Sequence, residues 1–154
     1  MKLFLGLILL IICIFIGYIK SNKYYFRRVF YDDFVKFNEK FKQEVSFKQR
    51  TIKNIIEDEL SDSDFITGIK GSIFNEKTTE KNLNYLNENE IKYFKDYVST
   101  IGTVDKTIQL DFLQNISNEI IDKQKQCVSE ENKYKKLYIK LGFFIGLILL
   151  ILVL

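Results

Sequence analysis

The sequence LFLGLILLIICIFIGYI (3–19) decides how the rest of the chain is interpreted, because it contains no charged residue. As a helix it would be about 25 Å long, close to the hydrocarbon thickness of a bilayer, which is about 30 Å. Tyr18 stands where interfacial aromatic residues occur, and Lys20 follows it. We therefore predict a transmembrane helix within residues 1–20. A cleaved signal peptide is the alternative, although the sequence around Gly17 lacks the pair of small residues that cleavage requires.

A second apolar stretch is LGFFIGLILLILVL (141–154). Its length would also suit a buried core helix, but such a helix has a polar face and this stretch has none. Tyr138 again marks an interface, and the apolar length grows to about 18 residues if Lys140 extends its ammonium toward the headgroups. We predict a second transmembrane helix over residues 141–154.

Basic residues crowd the inner edges of both apolar stretches, and the positive-inside rule places such edges in the cytoplasm. We expect four of them to set the orientation: Arg27, Arg28, Lys136 and Lys140. The prediction is therefore a cell-membrane protein with a cytoplasmic domain over residues 21–140 and both termini across the bilayer.

The pattern of the middle domain is helical nearly throughout. Apolar residues recur every three or four positions from Phe30 to Val45, as on one face of a helix. The segment 61–64 offers N-cap residues, and Asn87 with Glu90 is typical of a capping box. Residues 75–82 are typical of a loop. The predicted fold is all-α: a membrane-anchored helical bundle, or stacked αα-hairpins, with one transmembrane helix at each end.

The segment 101–109 predicts a boundary between two helices. Gly102 suits the position after a helix end, and Thr103 suits the N-cap of the next helix. Asp105 would lie at the positive N-terminus of that helix, with Gln109 one turn further on. The following apolar stripe keeps a helical phase with polar lapses at Gln124 and Glu131, and whether its helix continues into the second span stays open. It consists of Ile108, Phe112, Ile116, Ile120, Cys127, Tyr134 and Tyr138.

Composition argues against several classes of function. The chain has no His, which excludes catalysis by His and metal ligation by His. The sequence after Gly68 and Gly71 lacks the Gly-Lys-Ser/Thr of a phosphate-binding loop. The acidic residues near Asp64 lack calcium-loop spacing. All 20 acidic residues and 22 of the 23 basic ones lie between Lys20 and Lys140, too balanced for a nucleic-acid surface. We predict a non-enzymatic protein without a cofactor, metal or small-molecule substrate.

Gly142 and Gly146 form a GxxxG pattern inside the second apolar stretch. Small residues four positions apart allow two helix backbones to approach closely within lipid. We predict that they pack against Gly6 or Gly17 of the first span, or against another subunit.

The order of several short motifs resembles the stage III sporulation protein AB family of endospore-forming bacteria. Toward the N-terminus these are Gly17-Tyr18, Arg27-Arg28 and Glu44-Val45-Ser46-Phe47. Toward the C-terminus, IGTVD (101–105) with Gln109 is similar to the family's helix turn, and KLYIKLG (136–142) is similar to its entry into the last span. The chain lacks the Pro and Trp that the family tends to carry.

The resemblance implies a scaffold in the mother-cell membrane channel that faces the forespore, similar to type II secretion platform proteins. It implies docking of the stage III sporulation protein AA ATPase and contact with other channel subunits. The last helix would transmit the free energy that the ATPase releases. The alternative that the residues leave open is a membrane-tethered adaptor or regulator unrelated to sporulation.

Overall fold

A computed structural model describes residues 2–47, 52–57, 63–74, 83–101 and 106–153 of the chain. Within these ranges every regular element is an α-helix, as the sequence predicts. The five helices are α1 (Lys2–Phe47), α2 (Ile52–Glu57), α3 (Asp64–Phe74), α4 (Glu88–Thr100) and α5 (Lys106–Val153).

Two compact units divide the chain between them. The paired-helix unit comprises Met1–Arg28 and Gln126–Leu154, which contain the two apolar stretches. The central unit comprises Val29–Lys125, which include α2, α3 and α4. The long helices α1 and α5 each contribute residues to both units.

An aromatic core fills the central unit. The apolar stripe predicted on α1 is buried at all five positions, which are Phe30, Phe34, Phe37, Phe41 and Val45. The Phe34 ring lies 4.9 Å from Phe65 of α3 and 4.6 Å from Tyr97 of α4, measured between ring centroids. Because edge-to-face and tilted aromatic pairs add to the free energy gained from burial, this cluster holds α1, α3 and α4 together.

Side-chain caps start two of the shorter helices. Ser63 precedes α3, and its Oγ accepts a hydrogen bond from the Ile66 amide at 3.4 Å. Asn87 and Glu90 form the predicted capping box at the start of α4, with both hydrogen bonds at 2.9 Å. The buried Glu90 carboxylate also accepts a hydrogen bond from the Tyr31 hydroxyl at 3.1 Å, which ties this cap to α1.

A buried amide connects three helices of the central unit. The Asn38 side chain on α1 donates to the backbone carbonyl of Leu113 on α5 at 3.3 Å. It also accepts a hydrogen bond from the Tyr97 hydroxyl on α4 at 3.2 Å. Burial raises the pKa of Tyr97 well above its ordinary value, so this hydroxyl keeps its proton and remains a donor. The contact therefore specifies how α1, α4 and α5 align.

The buried face of α5 differs from the predicted stripe. Ile120 and Cys127 are buried as expected, but Ile108 is 58% exposed. The core positions are instead Gln109, Leu113, Ser117 and Ile120. The helical phase is as predicted, but the face that packs in the core carries Leu113 and Ser117, because both have partners on α1. Asn38 donates to the Leu113 carbonyl, and the Ser117 hydroxyl donates to Glu39 at 2.8 Å.

Both long helices are unbroken over their described lengths. α5 extends from Lys106 to Val153, so the helix that begins in the central unit continues into the second apolar stretch. α1 similarly joins the first apolar stretch to the Phe30–Val45 stripe, a continuity that the sequence analysis did not predict. The expected loop over residues 75–82 lies outside the described residues.

The carboxylate of Glu39 provides a pH-dependent contribution to stability. The Ser117 hydroxyl donates to it and Lys42 lies beside it, which together lower the pKa of Glu39 from its ordinary value of 4.5. A carboxylate with a lowered folded-state pKa stabilises the fold above the unfolded-state pKa, and this stabilisation disappears as the pH falls through the folded-state value.

When the pH is lowered below 4.5, the urea concentration at the unfolding midpoint of the full chain should decrease. We expect this decrease to be larger in the native protein than in S117A, which lacks the hydroxyl that lowers the pKa of Glu39. Chemical unfolding followed by circular dichroism at several pH values measures this. S99A is the matched control, because the Ser99 hydroxyl is exposed and donates to a backbone carbonyl, that of Asp96 at 2.8 Å. Equal pH dependence in S117A and the native protein would contradict the assignment.

Candidate functional site

Glycines bring the backbones of α1 and α5 together in the paired-helix unit. A Cβ atom placed on Gly142 would lie 2.6 Å from the carbonyl oxygen of Cys13, and one placed on Gly17 would lie 2.5 Å from that of Tyr138. On Gly146 it would lie 3.0 Å from the Cα atom of Leu10. Gly17 and Gly142 have no room for a side chain and Gly146 has little, so the glycine face (Gly17, Gly142 and Gly146) permits close helix packing of the kind found in lipid.

Two arginine–glutamate pairs connect α1 and α5 next to the glycine face. Arg27 pairs with Glu130, and Arg28 pairs with Glu131. All four side chains are partly buried, with exposed fractions between 13% and 27%. Because partial burial reduces screening by solvent, these pairs fix the register of the two helices more firmly than fully exposed ion pairs would.

Tyrosines fill the space between the helices at the level of these ion pairs. The rings of Tyr24 and Tyr134 are stacked with centroids 4.5 Å apart, and Tyr138 lies 6.1 Å from Tyr24. Tyrosine suits the boundary between lipid and water, because its ring is apolar and its hydroxyl is polar. The cluster therefore has the composition of a membrane-interface belt.

Both terminal helices are long and apolar enough to cross a membrane. The most apolar window of α1 is only 17% buried, and that of α5 is only 11% buried. The core helix of a soluble protein would be mostly buried, so this exposure favours lipid as the surrounding medium. The outward residues are large and apolar, among them Phe4, Phe15, Phe144 and Leu152.

The four residues predicted to set orientation differ in their surroundings. Arg27 and Arg28 are engaged with glutamates. Lys136 and Lys140 are exposed and form no ion pair with any carboxylate in the described ranges. These two lysines consequently present uncompensated positive charge beside the second apolar stretch, in contrast to the two arginines.

The predicted helix boundary at residues 101–109 is only partly described. Gly102, Thr103 and Asp105 lie outside the described residues, while Ile101 caps the C-terminus of α4. Gln109 is 7% exposed, and its amide nitrogen has no hydrogen-bond acceptor within the described part of the chain. In this structure Gln109 is a packing residue of α5 and does not present its side chain to solvent.

The glutamate partners of the two arginines were not predicted. Charge pairing between distant segments has no periodic signal, so Glu130 and Glu131 were not identified from the sequence. The sequence does contain one indication of the pairing. Two adjacent arginines follow the first apolar stretch, and two adjacent glutamates precede the second at a comparable distance.

Among the described residues, no group of three Cys, Asp or Glu side chains is arranged to hold a metal ion.

These features define an all-α protein in which two long apolar helices pack through glycines and are joined by ion pairs beside the apolar stretches. The family model for stage III sporulation protein AB matches residues 70–154, which is more than half of the sequence. The chain therefore belongs to the stage III sporulation protein AB family, and it has a role related to sporulation. No curated protein and no solved structure matches it.

Proposed function

We propose that the protein is a non-enzymatic membrane platform in the mother cell, and that its central unit docks an ATPase and other subunits of a channel to the forespore. Family membership supports the sporulation part of this role. The two exposed apolar helices support an integral position in the membrane. The proposed ATPase is similar to stage III sporulation protein AA.

An exposed apolar pair at one end of the central unit carries the docking proposal. Lys42 contacts Gln114 and Glu39 contacts Ser117, so residue numbers rise along α1 as they fall along α5. This antiparallel register places Phe47 level with Ile108. Phe47 is 83% exposed and Ile108 is 58% exposed. Large apolar side chains that are this exposed favour a protein-binding surface.

The buried polar groups of the central unit support a scaffold, because they connect its helices. Asn38 bonds to Tyr97 and Leu113, and Glu90 bonds to Tyr31 and to its own helix cap. These contacts connect α1, α4 and α5 and hold them in one arrangement. A rigid arrangement of helices with an apolar contact surface suits docking.

The lysines support a cytoplasmic position for the central unit. Lys20 and Lys23 follow the first apolar stretch, and Lys136 and Lys140 flank the second. None of the four pairs with a carboxylate in the described ranges, so their charges remain available to anionic headgroups on the cytoplasmic leaflet. Protease added outside intact cells should leave the central unit uncut, and cleavage there would refute this orientation.

Affinity purification from sporulating cells tests the docking surface. We expect the full-length native protein to recover the ATPase, and the double variant F47S/I108S to recover about tenfold less, since truncating a central apolar contact costs about 1–2 kcal/mol or more. K36S is the matched control, because Lys36 is also an exposed residue of α1. Absence of the ATPase from the native sample, or equal recovery with F47S/I108S, would refute the proposal.

A further inference from the structure

A cavity of about 390 Å³ lies in the paired-helix unit beside the end of the first apolar stretch. Its volume falls in the range of small-molecule sites, roughly 300–1,000 Å³. The residues that line it are Tyr18, Ser21, Asn22, Tyr25, Phe26 and Lys135.

The lining residues follow the boundary of the apolar stretch. Tyr18 is in the last turn of that stretch, and Ser21 and Asn22 begin the polar sequence directly after it. Lys135 lies on α5, shortly before the second apolar stretch. When the apolar stretches occupy the hydrocarbon core, the cavity is therefore at the level of the lipid headgroups.

The chemistry of the lining favours an anion. No acidic residue lines the cavity, and Lys135 forms no ion pair with a carboxylate in the described part of the chain. Three further lining residues, Tyr18, Asn22 and Tyr25, have side chains that carry hydrogen-bond donors. The Phe26 ring and the two tyrosine rings add apolar surface, so the cavity can accept a molecule that is both anionic and partly apolar.

Neighbouring side chains hold this lining in place. The guanidinium of Arg28 lies over the Tyr25 ring, 5.3 Å from its centroid, and Arg28 pairs with Glu131. The Ser21 hydroxyl donates to the Tyr18 carbonyl at 2.7 Å, which keeps that polar group inside its own helix. Lys135 is therefore the charge that the cavity offers to a ligand.

We propose that this cavity binds the phosphate group of an anionic phospholipid, with the Lys135 ammonium on the phosphate. The rings of Tyr18 and Phe26 contact the glycerol and the upper acyl chain. The site goes beyond the platform role and rests on the membrane position that the platform role assumes. The bound lipid would fix how deeply the paired-helix unit is inserted in the bilayer and which leaflet contains the cavity.

Lipid retention by the full-length protein tests the site. The protein is reconstituted in phosphatidylcholine vesicles containing a minor fraction of phosphatidylglycerol, extracted into mild detergent, and analysed by native mass spectrometry. We expect the native protein to retain phosphatidylglycerol and K135Q to retain about fivefold less, the factor expected for losing one lysine–headgroup interaction. K133Q is the matched control, since it removes the same charge from an exposed residue of the same helix that does not line the cavity.

The other outcomes decide against the proposal. Equal losses in K135Q and K133Q would indicate diffuse electrostatic attraction, and unchanged retention in K135Q would refute the site. Displacement of the lipid by excess inorganic phosphate would assign the cavity to a soluble anion instead. Carbonate extraction of each reconstituted sample shows whether the protein is inserted in the membrane. A protein that is not inserted refutes the membrane platform and the lipid site together. An inserted protein whose two variants lose the same amount of lipid refutes the lipid site alone.

Discussion

G142A is expected to destabilise the pairing of α1 with α5 by about 1–3 kcal/mol, the usual cost of overpacking a close contact. The added methyl group would lie 2.6 Å from the Cys13 carbonyl oxygen, which is backbone and cannot move aside as a flexible side chain can. The helices must therefore separate, and the stacked Tyr24–Tyr134 pair must lose contact. Unfolding of the full chain with SDS in mixed micelles, followed by near-ultraviolet circular dichroism of the tyrosines, measures the loss.

G6A is the matched control for this experiment, because it adds the same methyl group to the same pair of helices. A Cβ atom on Gly6 would lie 3.4 Å from the Leu150 side chain, which is an ordinary contact distance. We expect G6A to be within about 0.5 kcal/mol of the native protein, or slightly more stable because Ala favours helix over Gly. Equal stability of G142A and G6A would show that the glycine face does not determine the pairing.

F34A is expected to lower the unfolding free energy of the central unit by about 3–5 kcal/mol, the typical cost of truncating a buried Phe. The Phe34 side chain is fully buried and contacts rings on α3 and α4, so its removal leaves a cavity in the centre of the aromatic core. Urea unfolding of the full chain in detergent, followed by far-ultraviolet circular dichroism, gives the change in midpoint.

F47A makes the same substitution on the same helix at a residue that is 83% exposed. We expect its stability to stay within about 0.5 kcal/mol of the native value. A large loss in F47A would mean that Phe47 packs against other parts of the chain and would also weaken the proposed docking surface. A small loss in F34A would contradict the description of the aromatic core.

The parts of the fold that the sequence predicts are those with local signals. The stripe from Phe30 to Val45 repeats at helical spacing, and its core face follows from that period alone. The capping box at Asn87 and Glu90 involves residues three positions apart, so its hydrogen bonds do not depend on the rest of the fold. The apolar stretches are recognisable from composition because a lipid environment tolerates few other side chains.

The remaining parts depend on contacts between distant segments. The stripe on α5 was assigned from its apolar residues, whereas the helix buries Gln109 and Ser117 and exposes Ile108. A periodic pattern predicts burial from the polarity of each residue alone. It therefore does not predict that Ser117 is buried because its hydroxyl donates to Glu39. The pairing of Arg27 with Glu130 likewise depends on the register between α1 and α5, which sequence spacing does not give.

Because the glycine face is used inside one molecule, its smooth groove is not available to a neighbouring copy in the same bilayer. Lateral self-assembly of this protein would have to rely on bulky outward groups such as Phe15 and Phe144, whose rings keep adjacent backbones apart. Contacts of that kind depend strongly on the lipids that compete for the same surface. Higher-order clustering of this protein should accordingly respond to acyl-chain composition and to substitutions at Phe15 and Phe144.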